Sequence, residues 1–306
     1  MKNPIKAAII YLANSAPKYI ADLKLSLSSL DVNFNDQFRY PVIIFHRDFS
    51  EALIQDIRKA TRSNTRFEKV KFEIPDFLNK AEIPERCFGF DIEYRHMCRF
   101  FSGLVYRHPG LKDYDWYWRL DTDSFLLSKI DYDVFYFMQK HNYMYGYITM
   151  LKDRPETVKG LWDLTKKYIR ENKIQPTFLH KFTLGGVWNR TIYYTNFEIG
   201  KLDFWHSEKF ISYFNYLDRS GGIYKYRWGD TPIHSLAIYM FIPEKQVHQF
   251  SDIAYKHQSF VNQPSRFKLL ILLRKNIFYA NRWLGSKTVL VKFYLKLKKF
   301  LGSFCK

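Results

Sequence analysis

The sharpest chemical signal in the sequence is the acidic tripeptide Asp121-Thr122-Asp123, which directly follows the apolar segment Asp115–Leu120. A loop after a buried strand can hold two carboxylates towards one crevice, and hard divalent cations such as Mn²⁺ or Mg²⁺ prefer carboxylate oxygens. A cation bound there would neutralise a diphosphate leaving group. Because Asp and Thr also form turns readily, a polar turn without a metal is the alternative.

The N-terminal elements would position such a site. Short apolar runs predict strands and apolar spacing predicts helices at Ala7–Leu12 (strand), Ile20–Leu30 (helix), Tyr40–Phe45 (strand), Ser50–Thr61 (helix, capped by Ser50) and Phe67–Phe72 (strand). This alternation is the βαβ pattern of an α/β fold, with a mixed, mostly parallel central sheet flanked by helices. Such sheets commonly bind nucleotides at the carboxyl ends of their strands.

The remaining elements continue this alternation. The patterns predict helices at Ile92–Tyr106, Trp162–Asn172, Ser207–Leu217 and from Thr231, strands at Asp115–Leu120, Asn142–Met150 and Asn196–Phe204, and a loop at Lys181–Asn189. Ser220-Gly221-Gly222 should end the third of these helices, because glycine accepts a left-handed cap.

Composition excludes several classes of protein. The chain has 306 residues, of which 47% are hydrophobic and 19% aromatic, so it is neither disordered nor too small for a large core. Three cysteines exclude a disulfide scaffold and favour a reducing compartment. Since no apolar run approaches the ~20 residues of a membrane span, and the first residues do not resemble a signal peptide, we predict a cytoplasmic protein or one bound peripherally to a membrane surface.

The net charge of +18 is concentrated near the C-terminus, because Ile253–Lys306 contains 12 Lys or Arg and no Asp or Glu. Apolar residues fall at helical spacing at Leu290, Phe293, Tyr294, Leu297 and Leu301. We therefore predict a basic amphipathic helical tail at 264–306. It can lie on an anionic membrane or pack on the preceding domain. Nucleic acid is the least favoured partner, because the aromatics are spaced for a helix rather than for base stacking.

Five longer segments resemble the fungal-type α-1,2-mannosyltransferases of glycosyltransferase family 15, in the order found in that family. They are Tyr94–Gly103 (YRHMCRFFSG), Tyr117–Phe135 (YWRLDTDSFLLSKIDYDVF), Asn196–Phe204 (NFEIGKLDF), Leu217–His234 (LDRSGGIYKYRWGDTPIH) and Ala254–Phe260 (AYKHQSF). With the βαβ region, the resemblance covers roughly the first 260 residues. Five ordered segments are far more specific than one acidic tripeptide.

The resemblance implies a catalytic GT-A domain at 1–263, Mn²⁺ (or Mg²⁺), a GDP-mannose donor, a glycan acceptor and retention of the anomeric configuration. The family motif Glu-Pro-Asp is replaced by Asp121-Thr122-Asp123. The shorter Asp121 side chain can shift the metal, so another nucleotide sugar is an alternative donor. A second alternative is an inactive binding protein acting through its basic tail. Retention of Asp123, Glu198, Asp230 and His257 argues against that alternative.

By the same resemblance, Asp121, Asp123 and His257 hold the metal. Glu198 is expected beside the reacting carbon of the sugar, where a carboxylate can act as nucleophile or stabilise an oxocarbenium-like transition state. Asp230 is expected to hydrogen-bond the acceptor and to assist its deprotonation.

Tyr94 matches a family tyrosine near the donor phosphates and the catalytic centre. It opens a predicted helix, whose N-terminal N–H groups favour anions. Arg95 and Arg99 lie one turn apart on that helix, which predicts phosphate contacts, with a structural ion pair as the alternative for Arg99. With Asp121 these three complete the predicted donor-binding set. The segment Tyr11–Ser15 is expected to lie at the nucleoside.

Overall fold

The computed structural model describes residues 5–264. The tail predicted at 264–306 lies outside this range apart from Pro264, so the boundary between residues 263 and 264 stays a prediction. Within residues 5–264, no helix combines the length and the apolar character that crossing a bilayer requires.

The secondary structure alternates short strands and helices along the chain. The strands are β1 (Ala7–Ala13), β2 (Val42–His46), β3 (Thr65–Lys69), β4 (Trp116–Leu120), β5 (Ser124–Leu126), β6 (Tyr145–Tyr147), β7 (Met150–Lys152), β8 (Thr183–Leu184), β9 (Val187–Trp188), β10 (Thr191–Tyr193), β11 (Phe197–Lys201), β12 (Val247–Gln249), β13 (Tyr255–His257) and β14 (Phe260–Asn262). The α-helices are α1 (Pro17–Leu30), α2 (Asp36–Phe38), α3 (Glu51–Arg58), α4 (Ile92–Arg99), α5 (Val134–Lys140), α6 (Leu161–Glu171), α7 (Leu202–Trp205), α8 (Glu208–Arg219), α9 (Gly222–Tyr226) and α10 (Asp230–Phe241). π-Helical turns occur at Asp31–Asn35 and Phe100–Leu104, and 3₁₀ turns at Lys80–Glu82, Val105–Arg107, Pro109–Leu111, Pro155–Val158, Leu179–Phe182 and Glu244–Gln246.

A seven-stranded sheet in the order β12-β6-β11-β4-β1-β2-β3 forms the centre of the protein. Strands β4, β1, β2 and β3 are parallel, and β12 is parallel to β6. Strand β11 is antiparallel to both of its neighbours, β4 and β6. The sheet is therefore mixed and mostly parallel, as predicted. Because β1 and β4 are adjacent and parallel, the loops that follow them meet at one edge of the sheet.

Both faces of this sheet are covered. Along β1, Ala8 and Ile10 belong to one hydrophobic cluster, whereas Ala7, Ile9 and Tyr11 belong to another. Helices α8 and α10 contribute to the first cluster and α1 to the second. Because neither face of the central strands meets solvent, a polar side chain there must find its partners inside the protein.

Two predicted helix ends are confirmed in detail. The Ser50 side chain accepts a hydrogen bond from the Leu53 N–H at 3.2 Å and caps α3. Helix α8 ends before Gly221, which has a φ of +75°. Glycine adopts this left-handed conformation without the steric cost of a Cβ atom, which explains why the chain turns here.

The helix predicted at Ile92–Tyr106 is α-helical only to Arg99 and continues as a π-helical turn. Gly103 lies in that turn, where an added Cβ would be 2.6 Å from the ring of Phe214 on α8. The turn therefore packs directly against a neighbouring helix, a tertiary contact that local apolar spacing does not reveal.

Several strand predictions differ at their ends. The third strand is β3 rather than Phe67–Phe72, because Thr65 pairs with Val42 at the start of β2. The segment Asn142–Met150 divides into β6 and β7, which belong to different sheets. The strand predicted at Asn196–Phe204 stops where α7 begins, and the predicted loop at Lys181–Asn189 contains the short hairpin β8–β9.

Candidate active site

A cavity of about 530 Å³ opens at the carboxyl ends of β1 and β4. Its wall includes Leu12–Asn14 at the end of β1, Asp121–Asp123 after β4, Tyr94 and Met97 on α4, and His257 on β13. The carboxyl ends of parallel strands are where α/β folds place their ligands. Leu12–Asn14 falls within the segment predicted to lie at a nucleoside.

The three predicted metal ligands meet on the wall of this cavity. One ligand atom from each of Asp121, Asp123 and His257 lies within 4.8 Å of the others. His257 Nε2 lies 2.9 Å from Asp123 Oδ1 and 3.7 Å from Asp121 Oδ2. Two carboxylates and one imidazole nitrogen form a donor set that suits Mn²⁺, so these residues fit the predicted ion.

A turn and a strand pairing assemble this group. The carbonyl oxygen of Asp121 accepts the Ser124 N–H at 3.0 Å, which closes a four-residue turn carrying both carboxylates. Strand β5 follows the turn and pairs with β13 in a register that sets His257 opposite Ser124. A histidine distant in sequence thus reaches the acidic turn through sheet pairing.

Three further side chains orient the ligand group. Asn196 Nδ2 donates to Asp121 Oδ2, and the Tyr194 hydroxyl hydrogen-bonds His257 Nδ1. A partner on one ring nitrogen commonly orients a histidine that binds a metal through the other. Arg119 donates to Asp121 Oδ1 from Nε at 3.3 Å and from Nη2 at 3.2 Å. The other oxygen of Asp121 is therefore the one that faces His257.

Asp123 has the charge that a metal ligand needs. Burial on its own would raise the pKa of this carboxyl group. The hydrogen bond from His257 and the charge of that ring outweigh burial and lower the pKa below its usual value. The side chain is 29% exposed, so the ionised carboxylate can be reached from the cavity.

Of the three predicted catalytic residues, Tyr94 is the one that lines the cavity. The Asp91 side chain accepts the Tyr94 N–H at 3.0 Å and caps α4, which fixes the helix start. The Tyr94 hydroxyl accepts a hydrogen bond from Arg227 Nη2 at 2.7 Å. Burial raises the pKa of Tyr94, and the charge of Arg227 offsets this only in part. The phenol therefore keeps its proton at neutral pH.

Glu198 is fully buried, and the structure does not place it at the cavity, where it was predicted. Its carboxylate accepts hydrogen bonds from the hydroxyls of Tyr117, Tyr145 and Tyr106 at 2.6, 3.0 and 3.2 Å. His234 Nδ1 lies 2.9 Å from the second carboxylate oxygen. These four partners enclose the carboxylate.

The sheet explains this burial. Glu198 opposes Arg119 in the register of β11 and β4, two central strands with covered faces. His234 Nε2 lies 2.9 Å from the carbonyl oxygen of Phe101, so both ring nitrogens of this histidine have oxygen partners inside the protein. Burial alone would raise the pKa of Glu198, but the charge and hydrogen bond of His234 lower it overall. Glu198 and His234 thus form a buried hydrogen-bonded pair.

Asp230 is also buried, and its carboxylate is held from inside the protein. Arg119 Nη1 and the Thr195 hydroxyl donate to Asp230 Oδ2 at 2.5 and 2.7 Å. The guanidinium of Arg119 thereby bridges Asp230 and Asp121, and it stacks on the Phe101 ring at 3.5 Å. Burial alone would raise the pKa of Asp230, but the charge of Arg119 lowers it. A carboxylate with a lowered pKa is a weak base, so this geometry does not support the predicted deprotonation of an acceptor.

Comparison with known proteins adds to this geometry. The family model of the glycolipid 2-alpha-mannosyltransferases matches residues 2–276. The chain belongs to this family. It is 33% identical over 285 residues to probable mannosyltransferase KTR3 of Saccharomyces cerevisiae, covering 86% of this chain and 69% of that protein. It is 35% identical over 281 residues to glycolipid 2-alpha-mannosyltransferase 2 of Candida albicans, covering 85% of this chain and 60% of the relative.

Two solved structures resemble this member of the glycolipid 2-alpha-mannosyltransferase family over most of its length. Core-mannan synthase A of Aspergillus fumigatus, in its Mn/GDP form, is 31% identical with a TM-score of 0.81, covering 86% of this chain and 77% of that one. Mannosyltransferase Ktr4p of S. cerevisiae, in complex with GDP, is 29% identical with a TM-score of 0.79, covering 85% and 73%. The fold is therefore the GT-A type that the sequence predicted.

Two residues of this family member that were predicted to bind the donor, Arg95 and Arg99, do not lie at the cavity. Arg95 is fully buried and donates to three backbone carbonyl oxygens at 2.6, 2.7 and 3.1 Å. Arg99 donates twice to the carboxylate of Asp218, each time at 2.8 Å. Neither lines the cavity. The structure therefore does not place these two arginines at the donor phosphates, because both guanidinium groups are used in structural contacts. Arg99 forms the structural ion pair that was the alternative to a phosphate contact.

Four residues of the site are not apparent from the sequence patterns: Arg119, Tyr194, Asn196 and Arg227. Arg119 carried a signal, because it is the one charge in the otherwise apolar strand β4 and a buried charge needs partners. Asn196 reaches Asp121 because β11 is antiparallel to β4. That pairing joins distant segments and is not visible in residue spacing.

Proposed function

We propose that this chain is a metal-dependent retaining glycosyltransferase that transfers mannose from GDP-mannose to a hydroxyl group of a glycan acceptor. The convergence of Asp121, Asp123 and His257 at the cavity carries this proposal. Family membership and the Mn/GDP form of core-mannan synthase A support it. Because the chain spans 69% and 60% of the two curated relatives, the activity is proposed for the site present here.

The ligand group is organised before any substrate binds. Asp121, Asp123 and His257 would hold Mn²⁺, which when bound supplies Lewis-acid stabilisation to a departing nucleoside diphosphate. Arg119 keeps one oxygen of Asp121 towards the histidine, and Tyr194 engages the far nitrogen of His257. Such outer contacts fix the orientation of metal ligands and sustain their affinity.

The buried state of Glu198 favours one route to retention. A double displacement needs a nucleophile that reaches the anomeric carbon, whereas this carboxylate is enclosed by three tyrosine hydroxyls and His234. We infer that the leaving group departs and the acceptor attacks on the same face of the sugar. Tyr94 lines the cavity with its hydroxyl protonated, and a hydroxyl at this place can stabilise negative charge that develops on the leaving group.

The test is release of nucleotide by the purified chain with Mn²⁺ or with EDTA. GDP-mannose and a panel of UDP-sugars are supplied together with mannoside acceptors. We expect transfer from GDP-mannose that requires Mn²⁺ and yields an α-linked product. Turnover of a UDP-sugar instead would leave the glycosyltransferase proposal intact but would show that GDP-mannose is not the donor. The shorter Asp121 side chain is the reason for including UDP-sugars. Absence of metal-dependent transfer with every donor and acceptor would favour a binding protein.

For residues 264–306 we propose peripheral contact with an anionic membrane. These residues carry 11 Lys or Arg and no acidic side chain. Each basic residue near an anionic surface adds about 1 kcal/mol of attraction. Liposomes containing phosphatidylserine should float the full chain but not a chain ending at residue 264. Equal flotation of the two forms would contradict the proposal, and retention of the full chain on DNA alone would assign the charge to nucleic acid.

A further inference from the structure

Arg227 joins two aromatic side chains of the cavity wall. Its Nη2 donates to the Tyr94 hydroxyl at 2.7 Å. The guanidinium carbon lies 4.8 Å from the centroid of the Tyr94 ring and 4.3 Å from that of the Phe90 ring. The two rings lie 4.1 Å apart, and both line the cavity. Arg227 thus contacts this part of the wall from behind.

The charge of Arg227 has no ion-pair partner within residues 5–264, and its buried Nε has no hydrogen-bond partner there. This differs from Arg99, whose donors are matched by the carboxylate of Asp218. A guanidinium over aromatic faces gains cation–π attraction instead. The contacts of Arg227 are therefore directed at the two cavity residues rather than at a structural carboxylate.

The backbone at Arg227 supports the same interpretation. Its φ is +61°, in the left-handed region that a residue with a Cβ atom adopts at a steric cost. Such conformations persist where the surroundings hold them, and they cluster at functional sites. Arg227 directly follows α9 and precedes the buried Trp228, whose indole Nε1 donates to the Lys159 carbonyl oxygen at 2.9 Å.

We propose that Arg227 is a positioning residue for sugar transfer, holding the Tyr94 hydroxyl and the Phe90 ring together as one wall of the cavity. The Tyr94 oxygen accepts from Arg227, and the hydroxyl also hydrogen-bonds the buried Cys98 thiol, so its position on the cavity wall is fixed from two sides. Phe90 is 37% exposed and offers apolar surface to the C–H groups of a pyranose ring. The inference rests on the proposed function, since it gives Arg227 a part in the same transfer.

Two substitutions of Arg227 test this role. Arg227→Met keeps a long side chain but removes the charge and the donors, whereas Arg227→Lys keeps the charge and loses the planar fork. We expect Arg227→Met to lower kcat by about 10- to 100-fold, because a small misplacement at a reacting centre has an effect of that size. Arg227→Lys should restore part of kcat. Calorimetric binding of Mn²⁺ and GDP should be unchanged in both, which also shows that the variants fold.

A double-mutant cycle with Tyr94→Phe identifies the path of the effect. If Arg227 acts through the Tyr94 hydroxyl, Arg227→Met should lower kcat less in the Tyr94→Phe background than in the wild-type background. Equal losses in the two backgrounds would overturn the proposal. A wild-type kcat in Arg227→Met, or a loss matched by weaker Mn²⁺–GDP binding, would overturn it as well.

Arg66→Met is the matched control. Arg66 Nη1 also donates to a tyrosine hydroxyl, that of Tyr114, at 3.5 Å, but neither residue lines the cavity. Its substitution should leave kcat unchanged. A wild-type chain that binds Mn²⁺ and GDP but transfers no sugar would overturn the proposed function together with this inference. An active wild type with an unaffected Arg227→Met variant would overturn this inference alone.

Discussion

The metal-ligand group and the buried glutamate cluster lie on the same pair of strands but differ in exposure. The side chains of Asp121 and Asp123 follow β4 and are 25% and 29% exposed, whereas Glu198 in β11 is 0% exposed. Both regions fall within the segments that resemble the family. The difference teaches that family segments contain both residues that face the cavity and residues that are buried behind it, and that motif order alone does not separate the two.

Arg119 connects these regions physically. Its Nε and Nη2 donate hydrogen bonds to one oxygen of Asp121, and its Nη1 donates to one oxygen of Asp230. In strand register the same residue opposes Glu198. Loss of the Asp230 carboxylate can therefore displace Asp121 through Arg119, although Asp230 does not line the cavity. The experiments below separate contact with a ligand from support of that contact.

The largest effect is expected for Asp123→Asn. Loss of this ionised ligand should weaken Mn²⁺ binding by more than about 100-fold, since even the outer partners of metal ligands are worth 10- to 100-fold. Metal-dependent transfer should fall with it, while the unfolding free energy changes little, because the side chain is partly exposed. Titration with Mn²⁺ followed by electron paramagnetic resonance measures the affinity directly.

Asp163→Asn is the control for that experiment. Asp163 lies on α6 with its side chain 79% exposed, so the same chemical change is made far from the cavity. Its Mn²⁺ affinity and transfer rate should equal those of the wild type. If Asp123→Asn also bound Mn²⁺ with wild-type affinity, Asp123 would not be a metal ligand. The proposed difference between a metal-binding Asp123 and a structural Glu198 would then be wrong.

The second effect should be on stability. Glu198→Gln leaves three tyrosine hydroxyls without their anionic acceptor and His234 without its carboxylate partner. Breaking a buried, hydrogen-bonded charge network should lower the free energy of unfolding by about 2–4 kcal/mol. Urea unfolding measures this loss, and calorimetry should show unchanged Mn²⁺–GDP binding in the folded variant.

Glu156→Gln, an exposed glutamate in a 3₁₀ turn, serves as the control and should unfold like the wild type. A loss of transfer without a loss of stability in Glu198→Gln would contradict the structural role of Glu198. A Glu198→Gln variant of wild-type stability that binds Mn²⁺ and GDP but transfers no sugar would show that Glu198 acts directly on the substrate. The role implied by the resemblance would then be correct.

Much of the architecture was predictable because it depends on local patterns. The boundaries of β1, β2 and β4 fall within two residues of the predicted ones, since a buried strand is a short, mainly apolar run. The three residues predicted as metal ligands lie together. Motif order conveys which residues belong to the site even when the strand pairing that unites them is unknown.

Orientation was the part that spacing could not predict. Arg95 and Arg99 lie one turn apart on α4, but their side chains are directed to backbone carbonyls and to Asp218 on α8 rather than to the cavity. The direction of Glu198 depends on β11 lying antiparallel between β4 and β6. Such directions are set by the tertiary arrangement, which residue patterns within one segment do not contain.

A smaller effect should appear in the pH dependence of stability. The pKa values of Glu198 and Asp230 are lowered in the fold, by His234 and Arg119 respectively. Unfolded values are about 4.3 for Glu and 3.9 for Asp. The stability from these groups is thus full above about pH 5 and is lost as pH falls through the lower folded values.

Urea unfolding between pH 7 and pH 3 should therefore show a steep loss of unfolding free energy below about pH 4 in the wild type. Glu198→Gln should show a shallower slope, because one of the groups that binds a proton on unfolding has been removed. Identical slopes for the two proteins would mean that Glu198 is not ionised in the fold.

The smallest expected effect concerns Arg99 and tests whether the correction to its role holds. The ion pair with Asp218 is 16% and 7% exposed, so a double-mutant cycle of Arg99→Ala and Asp218→Ala should give a coupling of about 1 kcal/mol in urea unfolding. The KM for GDP-mannose should not change, because neither side chain reaches the cavity. A rise in KM of about tenfold, which corresponds to a lost charged contact, would instead indicate that Arg99 contacts the donor phosphates, as the sequence predicts. In that case α4 would have to turn its ion-paired face towards the cavity when substrate binds.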